Sequence, residues 1–263
     1  MRTAVVIASP PEFTLASVIC RDDHTGWSDV EVSDGYGVVF VRRGRFRRRV
    51  DGVVTDLDRT LAYLRAPGQE ASFAHPAFGG DECISLTLTP AAWCDLLGDR
   101  TVPESTVYVD ARLELAYRRI GAAVRGGDVD YALAEELVRL LAIVLRPATP
   151  SSGQRHLVAT AREAIDADHP AARGLLPLAE LLGVSPFRLS RAFPRDLGVS
   201  LTRYRNRVRV GRAIDRIEQG ERDLAALAAD LGFADQAHLC RTVRDHLGET
   251  PTALRRLLAQ PKR

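Results

Sequence analysis

Leu178–Arg205 reads LAELLGVSPFRLSRAFPRDLGVSLTRYR, and Leu227–Arg255 reads LAADLGFADQAHLCRTVRDHLGETPTALR. The two stretches are one pattern written twice. At an offset of 49, Leu178, Ala179, Leu182 and Gly183 recur as Leu227, Ala228, Leu231 and Gly232. One extra turn residue then moves the offset to 50, where Leu189, Arg191, Leu197, Gly198, Thr202 and Arg205 recur as Leu239, Arg241, Leu247, Gly248, Thr252 and Arg255. Self-similarity at a fixed period marks duplicated structural units.

Each copy has the grammar of a helix-turn-helix, placed at about 176–197 and 224–247. A short apolar helix holds a small residue, Ala179 or Ala228, where a second helix must cross closely. A glycine follows at the turn, where positive φ costs least. Ser185, with Pro186 behind it, and Asp235 are the expected N-caps of the second helices. There Leu189 with Phe193, and Leu239 with Val243, fall at i, i+4 on the buried side, which turns Arg191 and Arg241 outward. Between the copies, Leu201, Tyr204, Val208, Ile214 and Ile217 form the stripe of one long helix.

The charge distribution points the same way. Residues 155–263 hold 19 Lys+Arg and 13 Asp+Glu, net +6, whereas residues 1–154 hold the remaining 17 and 21, net −4. Only the half with the repeat has the balance of a polyanion binder. Of 36 basic residues all but Lys262 are arginine, whose fork suits phosphates and guanine edges, although a GC-rich genome also explains the bias. Cys20, Cys83, Cys94 and Cys240 show no CxxC pairing or finger spacing and read as thiols of a reducing compartment. AVVIA near the N-terminus is too short for a signal-peptide core, and no apolar run reaches about 18–20 residues, so a cytoplasmic protein without membrane association is expected.

From Thr3 to about Pro90, short β-branched runs (VVIAS, VICRD, YGVVFV, RFRRRV, GVVTDL, LAYLRAPG, CISLTLT) are cut by Gly, Pro and Asp, the pattern of a small sandwich or barrel over residues 3–90. Asp51–Gly52 is a hairpin signal. The period then changes. Val109, Leu113, Ala116, Tyr117, Ile120 and Val124 share one helix face, and Leu133, Leu137, Leu140, Leu141 and Val144 share another, which predicts a helical hairpin over 105–146 whose leucine-rich face is either core or dimer seam. RPATPSSGQ from Arg146 reads as a linker, 147–154. The expected organisation is therefore α+β: a strand-rich domain with a helical hairpin at 1–146, then an all-α domain at 155–263.

These residues, with the joining-helix positions Arg209, Ala213 and Ile214, resemble the AraC/XylS-type transcriptional regulators across about 155–258. Residues 1–145 resemble, through RRGRFRRRVDG and LAYLRAPG, the cupin-like effector barrel and dimerisation hairpin that often precede that domain. The resemblance implies a sequence-specific DNA-binding regulator, an activator, whose two recognition helices enter successive major-groove segments of promoter DNA. A homodimer, a small-molecule effector and RNA polymerase are the further partners it implies. The length of the joining helix suits this, because about 20 helical residues span roughly 30 Å and one B-DNA turn about 34 Å. Carried over position by position, the base readers are Phe187, Ser190 and Arg191 in the first helix and Gln236, His238 and Arg241 in the second, with Arg188 and Arg244 on phosphates. Arginine forks onto guanine and glutamine pairs with adenine, while phosphate contacts fix register. Two departures stand out: Pro194 should end or kink the first recognition helix, and Leu239 and Val243 replace the phenylalanines usual in the second.

Other chemistry finds less support. The run Arg42, Arg43, Arg45, Arg47, Arg48, Arg49 falls on a predicted hairpin, where alternation splits it over two faces and carboxylates can pair with it. His24, Trp27, His75 and Cys83 are the candidate lining of an effector pocket. Together with Asp81 they lack His-x-His or other ligand spacing, so no metal is expected, and no cofactor. No GxSxG, P-loop, GxGxxG or zincin motif is present, and the chain reads as a non-enzyme. The competing readings are a metal-dependent cupin enzyme with a helical appendage and a ligand-independent DNA-binding dimer.

Overall fold

In the computed structural model, residues 2–9, 13–21, 26–76, 79–97, 106–126, 140 and 155–258 are described. Contacts divide the chain into two compact units, Met1–Val109 with Ala123–Arg146, and Asp110–Ala122 with Pro147–Arg263. The fold is α+β, with an antiparallel sheet in the first unit and helices in the second.

Among the described residues the first unit has nine antiparallel strands: β1 (Arg2–Ala8), β2 (Phe13–Arg21), β3 (Glu31–Val32), β4 (Tyr36–Val50), β5 (Val53–Asp58), β6 (Leu61–Arg65), β7 (Glu70–Ala74), β8 (Gly80–Leu88) and β9 (Thr106–Tyr108). The main path runs β1-β2-β8-β4-β6-β9, with β5 and β7 on β4 and β3 on β7. The runs YGVVFV and RFRRRV, separate in the sequence reading, are one strand of 15 residues. Gly44 is what lets β4 turn the corner between partners. Before it β4 pairs with β8 and β6, and after it with β5 and β7. Gly44 has φ of +76°, and a Cβ there would lie 1.9 Å from the Gly80 carbonyl oxygen. The Asp51–Gly52 hairpin forms, with φ of 49° and 76°. Leu15, Val38, Phe40, Leu57, Leu86 and Leu88 fill the core. On α1 (Pro90–Leu97), Trp93 stacks on Tyr36 with ring centroids 4.5 Å apart.

The arginine run divides as alternation requires. Arg48 is buried, its guanidinium 4.5 Å over the Tyr63 ring and 2.6 Å from Gln69 Oε1. Arg47 and Arg49 stand exposed on the other side against Trp27.

In the second unit α2 (Ala111–Gly126) contributes its first part, and α3 (Arg155–Asp166) and a 3-10 turn (Pro170–Arg173) precede the repeat. The first copy is α4 (Leu175–Leu181) and α5 (Pro186–Leu197), and the second is α7 (Leu224–Asp230) and α8 (Gln236–Leu247). Joining them is α6 (Leu201–Glu218), and α9 (Pro251–Leu258) closes the chain's described part. Helix α6 has 18 residues, about 27 Å. Its stripe serves both copies. Tyr204 meets Phe193 of α5 at 5.2 Å between rings, while Val210, Ala213, Ile214 and Ile217 join Leu227, Ala228, Phe233, Leu239, Val243, Leu247, Leu254 and Leu258 in one buried cluster.

Ala111 and Leu115 of α2 belong to that same cluster. The sequence reading put 105–146 with the strand-rich domain, yet Asp110–Ala122 groups with the helical unit. The physical reason lies beside the apolar contact. Glu114 is buried and takes Arg118 at 2.5 Å and Arg207 of α6 at 2.6 Å, while Arg118 also reaches Asp215 at 2.5 Å and Glu218 at 2.6 Å. Burial alone would pull the Arg118 guanidinium down, but Glu114, Tyr117 and Asp215 outweigh it and hold it well above the usual range. Of the other predicted face, Val109, Leu113, Ala116, Tyr117 and Ile120 are all buried. The second half of the predicted hairpin and the linker 147–154 lie outside the described residues, except Leu140, which is buried.

Two substitutions test these constraints. Gly44→Ala is expected to destabilise the sheet by about 2 kcal/mol or more, from positive φ and overpacking together. Glu114→Gln should cost on the order of 3 kcal/mol, because it leaves two buried guanidinium groups short of a carboxylate. Chemical denaturation followed by circular dichroism measures both, and an unchanged midpoint for either would contradict the role given to it.

Candidate nucleic-acid interface

The two turns are built alike. Gly183 and Gly232 have φ of +63° and +69°, and Gly198 and Gly248, which end α5 and α8, have +69° and +76°. Ser185 Oγ accepts from the Arg188 amide at 3.2 Å, and Asp235 accepts from the His238 amide at 2.6 Å, so both predicted N-caps are in place. Asp223 caps α7 through the Ala225 and Ala226 amides, both at 2.9 Å. The second turn has the extra residue foreseen from the change of offset: 182–185 separate α4 from α5, and 231–235 separate α7 from α8.

Helix α5 buries Leu189, Ala192 and Phe193 and leaves Phe187, Arg188, Ser190 and Arg191 exposed. The Arg191 guanidinium sits 5.2 Å over the Phe187 ring, which is 69% exposed. Phe187, Arg188, Arg191 and Arg195 line an open cleft of ≈ 190 Å³. Arg195 was not among the sequence candidates. Its signal was the i, i+4, i+8 spacing of 187, 191 and 195 along one face. Pro194 lies inside α5 and the helix runs on to Leu197, so the predicted break does not occur there. Pro194 is exposed while its neighbour Phe193 is fully buried, so packing of the inner face holds the helix past the missing donor.

Helix α8 buries Leu239, Thr242, Val243 and Leu247 and exposes Gln236, Arg241 and Arg244. His238 is placed differently. Its ring packs edge-on against Phe233 with centroids 5.3 Å apart, and its Nδ1 accepts from the Ala234 amide at 3.3 Å. That ties the imidazole to the turn. Behind the turn, Arg209 of α6 lies 3.8 Å over the Phe233 ring and donates from Nε to the Leu231 carbonyl at 2.7 Å. Burial first, and then nearby Arg205, push the Arg209 guanidinium down to about 10. It remains charged at neutral pH. For His246 near the end of α8, burial and the charges of Arg203 and Arg207 lower the imidazole below its ordinary value.

Among the described effector-pocket candidates, His75 and Cys83 come together and Trp27 stands apart. His24 lies outside the described residues. Trp27 stands with Arg47 and Arg49 on one face of β4, whereas His75 meets Phe46, on the opposite face, at 5.7 Å between rings. His75 and Cys83 are both buried and share Asp81 between them.

Residues 178–257 match the helix-turn-helix domain family. They form a helix-turn-helix domain. An uncharacterised HTH-type transcriptional regulator of Haemophilus influenzae is 28% identical over 79 residues, which is 30% of this chain and 26% of that protein's length. Among solved structures, a transcriptional regulator with an AraC-type DNA-binding domain from Chromobacterium violaceum is 26% identical over 40% of this chain and 95% of its own, with a TM-score of 0.37. ToxT from Vibrio cholerae, solved with an unsaturated fatty acid bound, covers 97% of this chain and 99% of its own at 11% identity and a TM-score of 0.39. No helix among the described residues is long and apolar enough to cross a membrane.

The pH behaviour of the helical unit follows from His246. Its folded value is lowered, so the stability it contributes is present above about pH 6.5, the ordinary histidine value, and is lost as pH falls. The expected outcome is that His246→Gln flattens the acid side of the thermal-stability profile below that pH; an unchanged slope would assign the sensitivity elsewhere.

Proposed function

We propose that this chain is a sequence-specific DNA-binding transcriptional regulator, working as a homodimeric activator through RNA polymerase under the control of a small molecule. The observation that carries the DNA-binding part is the pair of equivalent helices, α5 and α8. Each is capped and anchored by a buried inner face, and each presents an arginine-bearing outer face. Phe187, Ser190 and Arg191 are the readers on α5, and Gln236, His238 and Arg241 those on α8. With Nδ1 of His238 held by the Ala234 amide, its Nε2 is the atom left for a base. Arg188, Arg195 and Arg244 take phosphates and so set register without reading sequence. The domains that serve this are 1–146 for effector binding and dimerisation, 147–154 as linker and 155–263 for DNA. The start of α2 stands on the DNA-binding side of that division.

DNA binding by the purified full chain to its own upstream intergenic region, titrated with salt and nonspecific competitor, tests the reading. Salt-sensitive binding that survives competitor is expected, and binding that competitor abolishes would contradict it. Arg191→Ala and Arg241→Ala should each cost about 1–3 kcal/mol and relax specificity at one base pair. Arg195→Ala should weaken all sequences alike and lower the salt slope by about 1. Equal losses on specific and random DNA for Arg191→Ala would remove it from the base readers.

A further inference from the structure

Beyond DNA binding, a second cluster of chemistry lies in the sheet. Cys20 of β2 and Asp81 of β8 are direct cross-strand partners, so their side chains share a face. His75, in the connection that leads into β8, folds back over them with Nε2 2.5 Å from Asp81 Oδ1. The ligand atoms of Cys20, His75 and Asp81 all lie within 4.8 Å of one another. The side chains of His75 and Asp81 are 5% and 4% exposed, while Cys20 is half-buried and opens the group on one side. Cys83, two residues along β8, donates from Sγ to Asp81 Oδ2 at 2.9 Å and so orients the carboxylate from behind.

We propose that Cys20, His75 and Asp81 form a binding site for a divalent, thiophilic cation of the zinc class. A sulfur, an imidazole nitrogen and a carboxylate oxygen are the three donor types that zinc takes in open four-coordinate sites. Charge balance selects the ion further. A thiolate and a carboxylate sum to −2 and the imidazole is neutral, so a dication leaves the buried site uncharged. Coordination puts the metal where a proton now bridges His75 and Asp81; the neutral imidazole then carries its one proton on Nδ1, and the Cys20 thiol proton passes to solvent. The edges of a tetrahedral zinc site are roughly 3.3–3.8 Å, so side-chain rotations of about an ångström close the group around an ion. Cys83 then acts as the outer hydrogen bond that holds a ligating carboxylate. The backbone is already arranged. A Cβ at Gly80 would lie 2.7 Å from the Cys20 carbonyl oxygen and one at Gly44 1.9 Å from that of Gly80, so glycines let β2, β8 and β4 approach at this corner. The site takes the place of the sequence expectation of no metal, and it stands whether or not the chain binds DNA.

Titration of the metal-free full chain with Co²⁺, followed by absorption, tests the site. The expected result is saturation at one ion per chain, with the d–d bands of tetrahedral cobalt and thiolate-to-cobalt charge transfer, reversed by Zn²⁺. Cys20→Ser and His75→Gln should each weaken binding at least tenfold. Cys94→Ser, an exposed thiol on α1, should leave it unchanged. If a variant at the site does not fold, the spectrum of the wild-type chain still shows whether a thiolate ligates in tetrahedral geometry. Absence of saturable binding, absence of thiolate bands, or loss of binding in Cys94→Ser with retention in Cys20→Ser would overturn the proposal.

Discussion

A fully buried arginine in the middle of the joining helix constrains the whole helical unit. Arg207 is 1% exposed, and its guanidinium rests against Glu114, which is itself completely buried. An unpaired charge at such a place costs several kcal/mol, so the carboxylate that the start of α2 brings to Arg207 steadies α6. Arg118 extends the arrangement by drawing Asp215 and Glu218 of α6 to the same place. A segment that would otherwise be a connector is thus part of the helical unit.

That bracing gives the repeat its meaning. One rod serves two cores, through Tyr204 at one end and Ile214 and Ile217 at the other, so α5 and α8 hold a common frame. The copies are nevertheless not equal. The first offers Phe187 and a file of arginines, with its turn capped by Ser185. The second mixes Gln236 with Arg241, and its turn is clamped from behind by Arg209 over Phe233. Different outer faces on equivalent supports fit a DNA site whose two segments differ in sequence.

Much of this was readable in advance, for definite reasons. Turn glycines, caps and the i, i+4 pairs Leu189–Phe193 and Leu239–Val243 are local signals, and the repeat stated each of them twice. The Asp51–Gly52 hairpin and the alternation of Arg47, Arg48 and Arg49 were local too. What escaped depended on partners far apart in the chain. Nothing near Glu114 announces Arg207, and ligand spacing could not reveal Cys20 beside Asp81, because cross-strand pairing brings them together. Pro194 misled for a related reason: helix propensity argues for a break, but the buried Phe193 beside it carries the helix through. Trp27 failed as a companion of His75 because strand alternation sends their neighbours Arg47 and Phe46 to opposite faces of β4.

The central claim is that both copies read one DNA molecule together. Hydroxyl-radical footprinting of the full chain on its upstream region addresses it most directly. The account predicts two protected segments on one face of the duplex, about 10 bp apart, the spacing of successive major-groove segments. Arg241→Ala should then erase only the segment read by α8. A single protected segment, or loss of both segments in step with that one substitution, would contradict it.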